Sequence, residues 1–488
     1  MIDALQQLFT PLPFALMALG TSLGIVVGAV PGLTGAMLIA LTLPLTFSMT
    51  GANALILLVS MYVGAVSGGL ITATLLRMPG TPASIMTTLD GYPMAKGGRP
   101  GRALGLGISA SFVGGMVSWL FLLALARPAA ELSKKFGPFE FFSLVLMSLV
   151  LIASVSGRSL LRGAFAGFLG MFVAMPGPSP ATGELRMTFG FAEMGDGFKL
   201  LPVLIGLFAV NQALQEILNI GKPITRIAPN REGLFLKLAE WKAQAVNLLR
   251  SSVIGTGVGI LPGIGANIGS VLAYTAAKNL SKTPDQFGRG SEEGIVASEA
   301  ANNATVGGAL IPLIAMGIPG SVIDAILLGA LVIHGLQPGP LLFDQNPEVV
   351  HTIVGTVLLA NVFMLGFMLL SAGAISRLAN LRRSFLIPVA LTFCVVGSFA
   401  LANRMFDVWV MLAFGLIGFG MERAKIPLAP FVIGFVLAPI AEKNLLSGLM
   451  ASGGSYAPIF TRPVSLLFFV IAITLLISPI IRRRRSNQ

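Results

Sequence analysis

The chain has 488 residues, of which 55% are apolar and only 11% charged, and its mean hydropathy is +0.87. No soluble globular domain has this balance, and apolar runs of about 17 to 25 residues recur along the whole length, so the chain reads as an all-α polytopic membrane protein. The net charge of +12 sits in short loops between apolar runs and in the terminal Arg482-Arg483-Arg484-Arg485, which is the bias of cytoplasmic loops and argues against nucleic acid as a partner. Cys394 is the single cysteine, so neither an internal disulfide framework nor a cysteine-based metal cluster is available. The N-terminus lacks the basic n-region of a secretory signal, and the first apolar segment is expected to be retained.

Residues 12–47 form an apolar stretch interrupted at Pro31-Gly32, within the motif Gly24-x3-Gly28-x2-Pro31-Gly32-x2-Gly35. Small residues at every fourth position let a second helix approach closely, and Pro-Gly then breaks the helix. A second apolar run covers 52–76 and ends in another break, Met78-Pro79-Gly80-Thr81-Pro82. A short segment then reaches Asp90-Gly91-Tyr92-Pro93, and a basic loop carries Lys96, Arg99 and Arg102. Apolar segments follow at 103–126, 139–156, 162–176 and 199–220, two of them short enough to be tilted or re-entrant.

Residues 221–250 are the long charged interval, with Lys222, Arg226, Arg231, Lys237, Lys242 and Arg250 against Glu232 and Glu240. Within it Leu234, Leu238, Trp241, Ala245 and Leu248 make one apolar helical stripe, expected to lie on the cytoplasmic surface of the membrane. The alternative is a soluble connector packed on loops. Beyond it the plan of the first half returns. Gly255, Gly259, Pro262 and Gly263 repeat the first motif 231 positions later, and Gly317-Ile318-Pro319-Gly320-Ser321 repeats the second break. Further apolar runs cover 293–316, 321–336, 349–373, 386–402, 407–421, 427–441 and 463–481.

The expected organisation is therefore a first membrane repeat at 1–220, a basic amphipathic cytoplasmic linker helix at 221–246, a second membrane repeat at 247–445, and a final transmembrane helix with a basic cytoplasmic tail at 446–488. In total about 11 to 15 hydrophobic segments are expected. With the linker and tail inside, the Arg377-Arg382-Arg383 and Arg423-Lys425 loops also fall inside, and the acidic loops at 193–196 and 344–348 fall outside. The halves then enter from opposite sides, as inverted-topology repeats do. One loop disagrees, because Arg127, Lys134 and Lys135 would be external.

A break inside the membrane leaves backbone groups unpaired, which is tolerable only where it lines a cavity or is buried in protein. The breaks are thus the expected substrate site: Pro31, Gly32, Thr34, Gly35, Pro79, Gly80, Thr81, Ser84, Pro262, Gly263, Gly265, Asn267, Pro319, Gly320 and Ser321. Helix N-termini beyond the breaks suit an anion. Asn302, Asn303, Thr305 and Asp324 are the candidates for holding a coupling cation, and Glu299 and Asp90 are the other acids beside apolar segments. Each small polar residue, Ser270 included, has the alternative role of permitting close packing. Arg77 is the nearest cation for a carboxylate, or else an interfacial anchor.

The duplicated glycine-proline motif together with Met78-Pro79-Gly80-Thr81-Pro82-Ala83-Ser84 resembles the large membrane subunit of the tripartite tricarboxylate transporters, over nearly the whole chain. The second copy departs at Ala266, where the first has Gly35, so the half-sites need not be equivalent. The resemblance implies a secondary transporter of the bacterial inner membrane. It implies a small membrane subunit of about four spans and a periplasmic substrate-binding protein as partners. It also implies uptake of di- or tricarboxylates or aromatic acids, driven by Na+ or H+, with no other cofactor. The rival reading is an ion or solute channel whose broken helices form a filter. An enzyme would need a catalytic constellation, and the only histidines are His334 and His351; no phosphate-binding glycine loop with its lysine is present for ATP.

Overall fold

The computed structural model describes residues 6–485 apart from 31–32, 156–158, 219–226, 229, 231, 263–264, 379–382 and 401, so Pro31, Gly32, Gly263, Lys222, Arg226, Arg231 and Arg382 lie outside the described residues. The protein is almost wholly helical; among the described residues the one strand pairing is a two-residue ladder of Gly177–Pro178 with Leu185–Arg186. Seven described helices are long and apolar enough to cross a membrane and six more are shorter and apolar, within the expected range of segments.

The first broken segment is a hairpin. Helix α1 (Pro11–Gly28) packs on α3 (Gly51–Leu76) with Gly20 against Leu57, Gly24 against Met61 and Gly28 against Ala65. Residue numbers rise together, so α1 and α3 run parallel. The chain between them must turn back, and α2 (Gly35–Thr42) makes that return. The glycines are what allow the contact: a Cβ on Gly28 would stand 2.3 Å from the Ala65 carbonyl oxygen, and one on Gly24 2.4 Å from that of Met61. Past α3 the chain reverses at Arg77, which adopts left-handed φ 55° and holds its guanidinium 5.6 Å from the Tyr92 ring. Helices α4 (Ile85–Lys96) and α5 (Pro100–Ser133) follow.

The second half has the same construction. Helix α9 (Leu238–Ile260) runs parallel to α11 (Glu292–Met316), with Asn247 against Glu293, Gly255 against Ala301 and Gly259 against Thr305, and α10 (Gly265–Leu280) returns antiparallel to α11. α11 also ends in a left-handed residue, here Gly317 at φ 71°. In each half the glycine after the second break packs on the end of the hairpin's first helix. A Cβ on Gly80 would lie 2.1 Å from the Gly28 oxygen, and one on Gly320 3.1 Å from the Gly259 oxygen. Helices α12 (Val322–Ile333) and α13 (Pro347–Leu378) complete this half.

The two halves interlock through α3 and α11, which cross where Ser67 Oγ donates to Asn303 Oδ1 (2.6 Å) and Asn302 Nδ2 donates to the Val66 carbonyl (3.3 Å). Asp90 of α4 makes a second clasp between the halves. It is fully buried, its Oδ1 accepts the backbone N–H groups of Gly288, Gly290 and Ser291, and its Oδ2 accepts from Tyr274. Four charge-assisted bonds to one carboxylate account for a buried acid beside a turn.

The two hairpins begin at opposite ends of the molecule. The ends of α2 and the start of α3 meet His334 and Leu336, whereas α9 and α11 begin beside Arg102, which pairs with Glu240 (2.7 Å) and Glu292 (2.8 Å). Lys134 lies on the His334 side, paired with Asp344 at 2.9 Å and with Glu131 at 3.0 Å. The Lys237 backbone N–H and then Arg102 hold the Glu240 carboxyl below the usual carboxylate pKa range.

The linker differs from its sequence reading. The described residues between 227 and 237 are not helical, and the helix begins at Leu238 and continues unbroken into the second hairpin. Leu238 and Ala245 point outward, while Trp241 and Leu248 pack on Ala103, Leu106, Ala110 and Val296. Trp241 and Leu248 are thus covered by α5 and α11, and Leu234 is buried in the preceding loop over Gly105.

The remaining helices form a flanking bundle: α6 (Pro138–Val155), α7 (Leu160–Val173), α8 (Leu200–Ile217), α14 (Arg383–Ala400), α15 (Met405–Arg423), α16 (Leu428–Ala451) and α17 (Pro463–Arg485). It too packs through glycines, Gly170 on Phe431, Gly434 on Gly167 and Gly206 on Met411. α8 contains a π-helical turn at Ile205–Val210 where it approaches the broken helices.

Gly28→Val is expected to lower stability by about 1–3 kcal/mol through overpacking against α3. Gly257→Ala, in the corresponding segment but with open space around its Cβ position, is expected to be neutral or slightly stabilising. Thermal unfolding of the two variants in detergent checks this, and equal effects would mean that the glycine contacts are not what fixes the hairpin.

Candidate functional site

A cavity of about 640 Å³ lies where the two hairpin tips, the two crossed helices and the flanking bundle meet. Its walls come from corresponding places in the halves. Thr34, Gly35 and Ala36 of the first tip face Gly265, Ala266 and Asn267 of the second; Thr81 and Ala83 after one break face Ser321 and Ile323 after the other; Tyr62 of α3 corresponds to Asn302 of α11. The last three correspondences all have one offset, 240 positions. The bundle closes the remaining side with Phe208, Asn211, Gln212, Glu422, Leu428, Ala429 and Ile433.

Helix starts converge on this space. α2 begins at Gly35 with Thr34 as its cap, accepting from the Met37 N–H at 3.1 Å. α12 begins at Val322 with Ser321 as its cap, accepting from the Asp324 N–H at 3.3 Å. α10 begins at Gly265, and a short 3-10 turn at Pro82–Ser84 leads into α4. The first N–H groups of a helix have no intrahelical acceptor and carry a partial positive charge, so four such starts make a field suited to an anion. Among the described residues lining the cavity none is Lys or Arg. Arg77 is turned to Tyr92 and does not line it.

Several buried polar atoms here have no hydrogen-bond partner among the described residues: Thr81 Oγ1, Asn211 Oδ1 and Asn302 Oδ1. Buried polar atoms are normally satisfied, and groups left open on a cavity wall are the ones a ligand can take up.

Of the sequence-selected residues, Thr34, Gly35, Thr81, Gly265, Asn267, Asn302 and Ser321 line the cavity. The other described ones do not line it. Gly80 and Gly320 sit on the first helices of the hairpins; Pro79, Pro262 and Pro319 shape the turns without lining the cavity. Ser84 Oγ is bound within its own turn to Thr81, and Ser270 Oγ donates to the Ser298 carbonyl. Asn303 bridges Ser67 and the Glu299 carbonyl, and Thr305 Oγ1 donates to the Asn302 carbonyl, so neither offers its side chain to the cavity. Asp324 lies one layer behind the wall. Glu299 has no basic partner among the described residues; Thr87 and Ser111 donate to it. Sequence reasoning missed Tyr62, Asn211, Gln212 and Glu422. A hydroxyl or amide in the middle of an apolar run was the available signal for the first three.

The description "Tripartite tricarboxylate transporter TctA family" matches residues 14–433. An uncharacterized 52.8 kDa protein in the TAR-I ttuC′ 3′ region of Agrobacterium vitis is 30% identical over 99% of this chain and 96% of its own length. A second protein of that organism, in the TAR-II ttuC′ 3′ region, is 32% identical over 48% of this chain and 98% of its own length. No solved structure matches significantly. The chain belongs to the TctA family of tripartite tricarboxylate transporters, a family of multi-span membrane transporters and not of enzymes.

Asn302→Ala is expected to raise the substrate KM by roughly tenfold, the equivalent of about 1.4 kcal/mol for one lost polar contact. Asn303→Ala should instead lower stability through the α3–α11 crossing, with a smaller effect on KM. Paired uptake and thermal-unfolding measurements separate the two.

Proposed function

We propose that this chain is the large transmembrane subunit of a binding-protein-dependent secondary transporter that imports carboxylates, di- or tricarboxylates or aromatic acids, by cation-coupled alternating access. The carrying observation is the convergence of four helix starts on a cavity with no basic side chain among the described residues of its wall. A site built from backbone dipoles suits an anion that must be released again, because it attracts charge without the tight bidentate pairing an arginine makes. The volume of about 640 Å³ falls in the range of small-molecule pockets.

The two halves act in this reading as inverted-topology repeats. Hairpins that begin at opposite ends of the molecule, each laid parallel on a long helix, support it. The four hairpin and post-helix turns hold the substrate while the bundle of α6–α8 and α14–α17 acts as the surface they move against. A small membrane subunit of about four spans and a periplasmic binding protein complete the system, in the inner membrane of a bacterium with the linker and C-terminus cytoplasmic. Na+ or H+ supplies the driving force.

Uptake of labelled carboxylates into vesicles that contain the chain and both partners tests this. Accumulation that requires an imposed Na+ or H+ gradient and is lost without the binding protein is the expected result. Downhill flux indifferent to gradient and partner contradicts it and identifies a channel.

A further inference from the structure

Asp324 occupies the first turn of α12 and is fully buried, and neither of its carboxylate oxygens has a hydrogen-bond partner among the described residues. Ser321 Oγ accepts from the Asp324 N–H, and the Asp324 carboxylate lies towards the Ser321 backbone N–H without a hydrogen bond to it. Its polar neighbours are the hydroxyls of Ser321 and Tyr62, which are turned towards each other at 3.4 Å and line the cavity in front of it.

Among the described residues the surroundings supply no counter-charge. Tyr62 on α3 is the titratable group that faces it. The packed segments α2 and Leu200–Leu204 carry no titratable residue. On α11, Glu299 is bound by Thr87 and Ser111, and Glu292 is bound by Arg102. On α16, Glu442 and Lys443 lie nine or more residues beyond the cavity-lining Ile433, with Glu442 bound to Arg186. Across the cavity, Glu422 accepts from Gln215.

An ionised carboxylate left without a partner in such a place carries a large desolvation cost. The partial positive charge at the start of α12 offsets only part of it. A hard cation bound here would need a cage of oxygen ligands, and two hydroxyls do not make one. Protonation removes the charge with no rearrangement.

We propose that Asp324 carries the coupling proton, taken from and returned to the cavity across the Tyr62–Ser321 hydroxyl pair. This rests on the reading of the chain as a cation-coupled transporter and names the ion and its carrier. The step is a proton binding to a carboxylate to give the neutral acid on one side of the membrane and leaving it on the other, with one positive charge moved. The site exists once: the position 240 residues before Asp324 is Ser84, and the one before Asn302 is Tyr62, so the other half-site has a hydroxyl where this one has an acid.

Two readouts test the proposal on the full chain in liposomes. The first needs no transport. Infrared difference spectra between acid and alkaline buffer are expected to contain a protonated-carboxyl C=O band that Asp324→Asn removes and Glu299→Gln leaves in place. A band unchanged by Asp324→Asn overturns the proposal, even if no carboxylate proves to be a substrate. The second uses the complete system with its partners. Asp324→Asn is expected to lose accumulation driven by a pH gradient while keeping counterflow exchange of labelled for unlabelled substrate. Accumulation by the variant under a pH gradient, or wild-type accumulation that follows sodium and ignores pH, overturns it while leaving the transporter reading intact.

Discussion

The close approach of hairpin to long helix is the contact on which the site depends. Gly28 against Ala65 and Gly259 against Thr305 bring backbone to backbone, and a Cβ at either glycine would fall 2.3 or 2.6 Å from a carbonyl oxygen. In a bilayer the hydrophobic effect does not drive apolar helices together, so van der Waals contact between small residues must. The contact sets the depth at which each hairpin breaks, and the break sets where the next helix begins. Gly80 and Gly320 then use the same helix ends as their seats, which brings the second break of each half to the same level. Four helix starts at one cavity follow from two repeated glycine contacts.

The electrostatics of the cavity are those of backbone rather than side chain. Thr34 and Ser321 each use their hydroxyl to cap a helix, which leaves the preceding N–H groups of the first turn to the cavity. Duplication supplies the frame, and divergence within it supplies the chemistry. Tyr62 stands where the other half has Asn302, Thr81 where it has Ser321, and Ser84 where it has Asp324. The one acid among the described residues of the wall, Glu422, comes from the flanking bundle and accepts from Gln215.

Much of this was legible in the sequence, because a break in a membrane helix has few physical uses and here it occurs at matching positions twice. Thr34, Thr81, Asn267, Asn302 and Ser321 were recognisable as small polar residues beside breaks, and all face the cavity. Asn303 and Thr305 share that signature and pack elsewhere, since one residue of register on a helix turns a side chain by about 100°. The parallel course of α1 and α3 was not legible: a Gly-x3-Gly pattern marks a close neighbour without giving its direction. Nor was the share of the flanking bundle, because Asn211, Gln212 and Glu422 reach the cavity through tertiary packing and a π-helical turn that no repeat announces. The linker failed for a different reason. Of its five stripe residues Leu234, Trp241 and Leu248 are covered, while Leu238 and Ala245, interleaved with them, fell on the exposed face.

The claim that most needs testing is that the cavity between the hairpin tips is where the carboxylate sits. Cys394 is the single cysteine and is buried, so replacing it by alanine gives a background for single cysteines at Thr34, Asn267 and Ser321. The account predicts that a small water-soluble thiol reagent labels all three in membranes and that the transported carboxylate slows each of them. Labelling indifferent to the carboxylate at all three positions, with transport intact, would contradict it.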